Sequence, residues 1–160
     1  MVFSIARNFF RYDGLAEDMA QEVFLEMHRN LAGIESAAHL TAWLRQVTGR
    51  KCIDQSRRLW FRRWVGLDVE SDVTPAPKAK ENDPFASERI RKALAKLPDR
   101  TRMMIVMRYQ EEMEPGEIAE ALSIPIGTVK SSIHRGLEQM RKRMAHREIG
   151  VKEWIGLRLI

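Results

Sequence analysis

Apolar residues in this chain recur at intervals of three and four along most of its length, and no strong hairpin dipeptide separates alternating runs. That period belongs to helices, so the chain reads as all-α. Residues 2–12 (VFSIARNFFRY) form the first helical segment, ended by Asp13-Gly14. A second helix, from about Leu15 to Leu31, carries Ala16, Met19, Ala20, Val23, Met27 and Leu31 as one apolar stripe. Asp18, Gln21, Glu22, Leu25 and Arg29 lie on or beside its other face. A short loop, 32–38, precedes a third helix from near His39 to about Trp64, with Leu40, Trp43, Leu44, Val47 and Ile53 on its buried side. Gly49 inside that helix costs about 1 kcal/mol relative to alanine.

Composition changes at 66–84. Asp68, Glu70, Asp72, Glu81 and Asp83 stand there among Pro75, Pro77 and Pro84, with few large apolar residues. Such a stretch is an acidic, proline-containing linker. It divides the 160 residues into two small helical domains, 1–65 and 85–147, with a tail at 148–160. Neither domain is large enough for a big core, so each should be modestly stable alone.

The second domain opens with a helix from about Phe85 to Lys96, burying Ile90, Leu94 and Leu97. Pro98 stops it, and Asp99 is expected to cap the helix from about Arg100 to Gln110. In Glu114-Pro115-Gly116-Glu117 the proline suits a first helical turn and Glu117 the acid position of a capping box. The short helix Pro115–Leu122 should bury Ile118, Ala119 and Leu122. Then comes SIPIGTVKSSIHRG, residues 123–136, where a proline and a glycine precede a stripe of Val129, Ile133 and Leu137, continued by Met140 and Met144.

Two helices joined by so short a turn make a helix-turn-helix, which lays its second helix in the DNA major groove. With Val129 and Ile133 inward, Lys130, Ser131, His134 and Arg135 point outward. Lysine and arginine donate to guanine O6 and N7, and serine serves base or phosphate. Thr128 and the free N–H groups of the first turn suit a phosphate. Pro125 sits where no intrahelical hydrogen bond is lost, and Gly127 lets backbone approach backbone or DNA closely. The competing reading is an amphipathic helix with a solvated basic face.

The formal net charge of +5 favours a polyanionic partner. A second basic segment holds Arg50, Lys51, Arg57, Arg58, Arg62 and Arg63, with Trp60, Phe61 and Trp64 among them. Cations follow phosphates, and aromatic rings stack on unpaired bases at roughly 1–3 kcal/mol each. The alternative packs Trp43, Trp60 and Trp64 into their own domain. Cys52 is the only cysteine, which excludes an internal disulfide and a cysteine-based metal cluster and fits a reducing, cytoplasmic compartment. No apolar run nears the roughly 20 residues that span a bilayer, so membrane insertion is not expected. No zinc spacing, phosphate-binding glycine loop or Ser/His/Asp arrangement stands out. Catalytic residues, metals and cofactors are therefore not expected, and neither is an enzyme.

LPDRTRMMIVMRY followed by EIAEALSIPIGTVKSSIHRGLEQMRKRM closely resembles region four of bacterial sigma factors of the extracytoplasmic-function (ECF) group, in the sigma-70 family. EDMAQEVFLEMHRNL and AWLRQVTGRKCIDQSRR resemble that family's region two. The resemblance covers about residues 2–145. It implies a transcription initiation factor that binds core RNA polymerase and reads promoter elements near −35 and −10. Under it, Lys130, Ser131, His134 and Arg135 stand at positions that read the −35 duplex, with Thr128 and Ser132 nearer the DNA backbone. The loop 30–39 resembles the segment that captures a flipped base of the −10 element. The helix around Arg50, Lys51, Arg57, Arg58, Trp60 and Phe61 resembles the one that tracks the melting strand. Asp18, Gln21, Glu22 and Leu25 fall on the surface that grips the polymerase's largest subunit. An anti-sigma factor is a further implied partner, and the free chain is expected to be a monomer. Gly49-Arg50 stands where an Arg-Asn pair is usual, and Ser132 where arginine is frequent. A stand-alone helix-turn-helix regulator is the alternative function; it would need no region-two segment.

Overall fold

A computed structural model describes residues 1–10, 13–66 and 84–145. Every regular element among these residues is helical: α1 (Val2–Phe10), α2 (Asp13–Asn30), a 3-10 turn (Leu31–Gly33), α3 (Ala37–Trp64), α4 (Pro84–Leu94), α5 (Asp99–Gln110), α6 (Pro115–Leu122) and α7 (Ile126–Ala145). The chain divides into two compact units, the first built on α1–α3 and the second carrying α4, α5 and α7. All but the two end residues of the expected linker, and the whole of the tail at 148–160, lie outside the described residues.

In the first unit α1 packs against both α2 and α3. Its buried residues are Val2, Ile5, Ala6, Phe9 and Phe10, and the Phe9 and Phe10 rings meet edge to face with centroids 4.9 Å apart. α2 turns Ala16, Met19, Ala20 and Val23 inward. The spacing of three and four keeps them on one side, and the two alanines let neighbouring helices come close. Val2, Ala20, Val23 and Leu44 form one core cluster, with Met27, Leu40, Trp43 and Val47 packed on it. Leu31 departs from the expected stripe: α2 ends at Asn30 and the chain tightens into the 3-10 turn, which leaves Leu31 exposed. Asp13-Gly14, expected to end the first helix, instead form the first turn of α2. There Asp13 accepts a hydrogen bond from Arg7 Nε at 2.9 Å and places negative charge at the helix N-terminus, where the backbone dipole favours it.

α3 begins two residues earlier than its sequence pattern suggests, because Ser36 caps it: the Ser36 hydroxyl accepts the His39 N–H at 3.1 Å. Thr48 and Cys52 lie fully buried one turn apart on α3. The Thr48 hydroxyl donates to the Leu44 carbonyl at 2.6 Å, so its polar atom is satisfied within the helix. Burial pushes the Cys52 thiol up to about 12; it stays protonated and packs as a small apolar side chain.

In the second unit α5 buries the consecutive run Met103–Met107, all round the helix, which marks it as central. α7 packs on α5 and on α4. Asp99 does not cap α5. The helix starts at Asp99 itself, with Pro98 in the N-cap position, and the Asp99 carboxylate pairs with Arg102 at 3.2 Å. Arg102 in turn donates to the Leu94, Ala95 and Leu97 carbonyls at 3.2, 3.0 and 3.1 Å. The Leu94 carbonyl also accepts the Leu97 N–H at 3.0 Å, and with these bonds one guanidinium closes the turn between α4 and α5 from the start of α5. Gly136 of α7 is buried against α5: a Cβ there would sit 2.7 Å from Thr101 Cγ2 and 2.8 Å from Ile105 Cδ1.

Candidate nucleic-acid interface

The two ends of α6 determine how the chain enters α7. At its start the Glu114 N–H donates to the Glu117 carboxylate at 2.7 Å, the acid half of a capping box. Arg108 adds a hydrogen bond to Glu114 Oε1 at 2.9 Å. At its end the Ile124 N–H returns to the Ala119 carbonyl at 3.0 Å and the Ser123 N–H to that of Glu120 at 3.2 Å. This paired return is a Schellman motif, which needs a left-handed residue at its centre. Here that residue is Ser123, with φ of 53°. The sharp reversal is therefore made at Ser123. Gly127 lies within the first turn of α7, has no atom within 4 Å of where its Cβ would stand, and is exposed. Pro125 is the hinge between the two: its carbonyl accepts the Thr128 N–H at 2.9 Å and the Val129 N–H at 3.2 Å, and so opens α7.

α7 is oriented by its inner side. Val129, Ile133, Gly136 and Met140 are buried, while Leu137 and Met144 are partly covered. Opposite them Thr128, Lys130, Ser131, His134 and Arg135 are exposed, and Ser132 is half-buried at the flank. Arg135 lies back along the helix: its Nε donates to the Ser131 carbonyl at 3.2 Å and its Nη2 to the Ser131 hydroxyl at 3.4 Å. The Ser131 hydroxyl itself reaches the Thr128 carbonyl at 3.2 Å. Thr128, Ser131 and Arg135 thus form a row from the bare N-terminus down the outer face.

The first unit holds two further groups. On α2, Asp18, Gln21, Glu22 and Leu25 follow the spacing i, i+3, i+4, i+7 and are all exposed. Leu25 is 59% exposed and Phe24 beside it 48%, so this acidic face also carries apolar area in water. On α3, Arg50, Arg57, Arg58, Trp60, Phe61 and Arg62 are exposed. Trp60 and Trp64 are near-parallel, at 10° with centroids 6.4 Å apart, and remain 65% and 72% exposed. These two tryptophans therefore do not pack into their domain, whereas Trp43 does. Lys51 is set apart from the other cations. Its Nζ meets Glu26 at 2.9 Å and Glu22 at 3.4 Å, tying α3 to α2. The hydrogen bond to Glu26 raises the Lys51 ammonium above the usual lysine range, against the lowering effect of its partial burial.

Family models for sigma-70 region 2 and sigma-70 region 4 match residues 1–62 and 87–140. The ECF RNA polymerase sigma factor SigW of Bacillus subtilis is 32% identical over 140 residues, covering 81% of this chain and 75% of the relative. The chain belongs to the ECF group of the sigma-70 family. This sigma factor is also similar to SigL of Mycobacterium tuberculosis, 34% identical with 85% of the chain and 77% of the relative covered. SigF of Caulobacter vibrioides is 32% identical, with 82% and 72% covered. The fold of this chain is similar to that of the sigma factor RpoE of Bartonella quintana, solved with the anti-sigma factor NepR, at TM-score 0.72, 20% identity, and coverage of 92% of this chain and 91% of that one.

Sequence reasoning missed three features of the sigma factor's surface. Phe24 follows Val23 and reads as part of an apolar run; only its helical angle separates it from the core. Trp64 reads as one of the basic-aromatic residues, but its pairing with Trp60 depends on side-chain orientation. Ser123 carried no signal, since serine seldom adopts a left-handed backbone.

Proposed function

We propose that this sigma factor binds core RNA polymerase and directs it to promoters with three surfaces. Region four reads the −35 element as duplex through α7: Lys130, Ser131, His134 and Arg135 face base edges, while Thr128, Ser132 and the first-turn N–H groups meet phosphates. Region two tracks the −10 element through α3, with Arg50, Arg57 and Arg58 on the sugar-phosphate strand and Trp60 and Phe61 against bases. Lys51 supports this surface from its flank through Glu22 and Glu26. The α2 face of Asp18, Gln21, Glu22 and Leu25 takes the polymerase, with Phe24 as added apolar contact. The observation that carries this reading is the outer row of α7, held away from the core by Val129 and Ile133, in a chain that also matches region two. A stand-alone helix-turn-helix regulator would leave the α2 and α3 surfaces without a role.

The domain bounds that fit this division are 1–65 for region two, 66–84 for the linker and 85–147 for region four. The sigma factor acts in the bacterial cytoplasm, without a cofactor, as a monomer when outside the polymerase. Among the described residues no helix is long and apolar enough to cross a membrane. Control by an anti-sigma protein is part of the proposal, since the similar RpoE was solved with one.

The test is Arg135→Ala in reconstituted transcription. We expect promoter-specific initiation to fall by roughly five- to a hundred-fold, as the loss of a bidentate base contact of roughly 1–3 kcal/mol implies, while core binding persists. Equal loss of both would mean that Arg135 acts through folding.

A further inference from the structure

The outer side of α7 carries a second ridge beside Thr128, Ser131 and Arg135. Ile126, Lys130 and His134 follow the spacing i, i+4, i+8, which sets them in one row along the helix, and all three are exposed. Ile126 is the first residue of α7. Among the described side chains of α4–α7 and their turns it is the one large apolar group left exposed, at 47%. A single isoleucine in water is ordinary; this one heads a row whose next member is a hydrogen-bond donor to bases. Helical side chains tilt toward the helix N-terminus, so Ile126 projects past the first turn, at the end of a recognition helix that touches base edges. The backbone of that turn is fixed by the Pro125 carbonyl, which accepts the Thr128 and Val129 N–H groups at 2.9 and 3.2 Å. Gly127 beside it has nothing within 4 Å of where a Cβ would stand, so the outer side of the turn is open.

We propose that Ile126 is a specificity-determining residue of region four, which packs against the C5-methyl group of a thymine in the −35 duplex. That methyl is the apolar group displayed in the major groove, and it sets thymine apart from the other bases. One helical turn advances about 5.4 Å and successive bases are about 3.4 Å apart. The thymine therefore stands one or two base pairs from the base that Lys130 reads. This deepens the −35 reading and rests on it: it adds a contact with neither charge nor hydrogen bond, and it names a methyl group as the ligand. Such a contact responds to removal of the methyl and not to salt.

The test measures holoenzyme affinity for a promoter that it recognises, with each thymine near −35, on either strand, replaced in turn by deoxyuridine, which lacks only the methyl. With the wild type, one replacement should lower affinity by roughly four-fold, the effect of exposing one buried carbon group. In Ile126→Ala affinity for the thymine duplex should fall by a similar factor, and the preference for thymine over uracil at that position should be lost. Ile126→Val should keep most of that preference. Because the preference is a ratio within one protein, a folding defect does not remove it. A wild type indifferent to every replacement, or an Ile126→Ala variant that keeps the full preference, would overturn the methyl contact; the −35 reading would then stand if Lys130→Ala still weakens promoter binding. No loss in Lys130→Ala or Arg135→Ala would overturn the reading on which the proposal rests. Weakened association of Ile126→Ala with core polymerase in the absence of DNA, with the thymine preference kept, would overturn the proposal in favour of a protein contact.

Discussion

Two small residues decide how α7 is presented. Gly136 lets α7 lie against Thr101 and Ile105, since a methyl there would come within 2.8 Å of both side chains. Alanine would gain about 1 kcal/mol of helix propensity but overpack a tight contact, at a cost of about 1–3 kcal/mol. Gly136→Ala should therefore lower stability by about 1 kcal/mol in urea unfolding of the intact chain; an unchanged or raised midpoint would contradict the packing. Ser123 works in the opposite direction. Its left-handed backbone costs a residue with a side chain about 1 kcal/mol, and glycine carries no such steric cost. Ser123→Gly should raise stability by about 0.5 kcal/mol, whereas Ser123→Val should lower it. If both variants are neutral, the Schellman turn does not hold the two helices. Neither residue's role was legible in the sequence. Gly136 is required by side chains of another helix, and Ser123 sits next to Pro125 and Gly127, the residue types that ordinarily mark a turn.

At the scale of elements, most of the pattern was readable. Each helix that buries a regular stripe is legible to within a few residues, because a period of three to four in apolar residues reflects one packed face. The departures arise where the chain leaves that pattern: Leu31 at the 3-10 turn, Asp13 at a close succession of helices, Asp99 where Arg102 claims its carboxylate. The outer face of α7 was legible for the same reason as its inner one, since Val129 and Ile133 fix the angle at which Lys130 and Arg135 emerge. Which exposed groups touch DNA is a matter of what lies across from them, and no single-chain pattern encodes that. Salt dependence tests the α7 face as a unit. Phosphate contacts release counterions, so the logarithm of affinity should fall linearly with the logarithm of salt, by about 0.9 per contact. Lys130→Ala, which removes a base-edge contact of roughly 1–3 kcal/mol, should lower affinity by roughly five- to a hundred-fold and leave that slope nearly unchanged. A flat response in the parent chain would contradict a DNA-facing α7.

For the whole molecule, the two units carry different work, and the proposed role needs both at once. Region four offers a face suited to duplex, while region two offers an acidic-apolar face on α2 and a cationic-aromatic one on α3. The acidic, proline-containing stretch at 66–84 is where the sequence leads one to divide the chain, and the family resemblance joined the two halves into one role. The most direct test is run-off transcription by core RNA polymerase on a genomic promoter library, with and without the protein. Initiation at a discrete set of promoters is expected only when the protein is present, together with co-purification of the two at low salt. No association with core polymerase at low salt, and no new transcripts, would contradict a promoter-directing role.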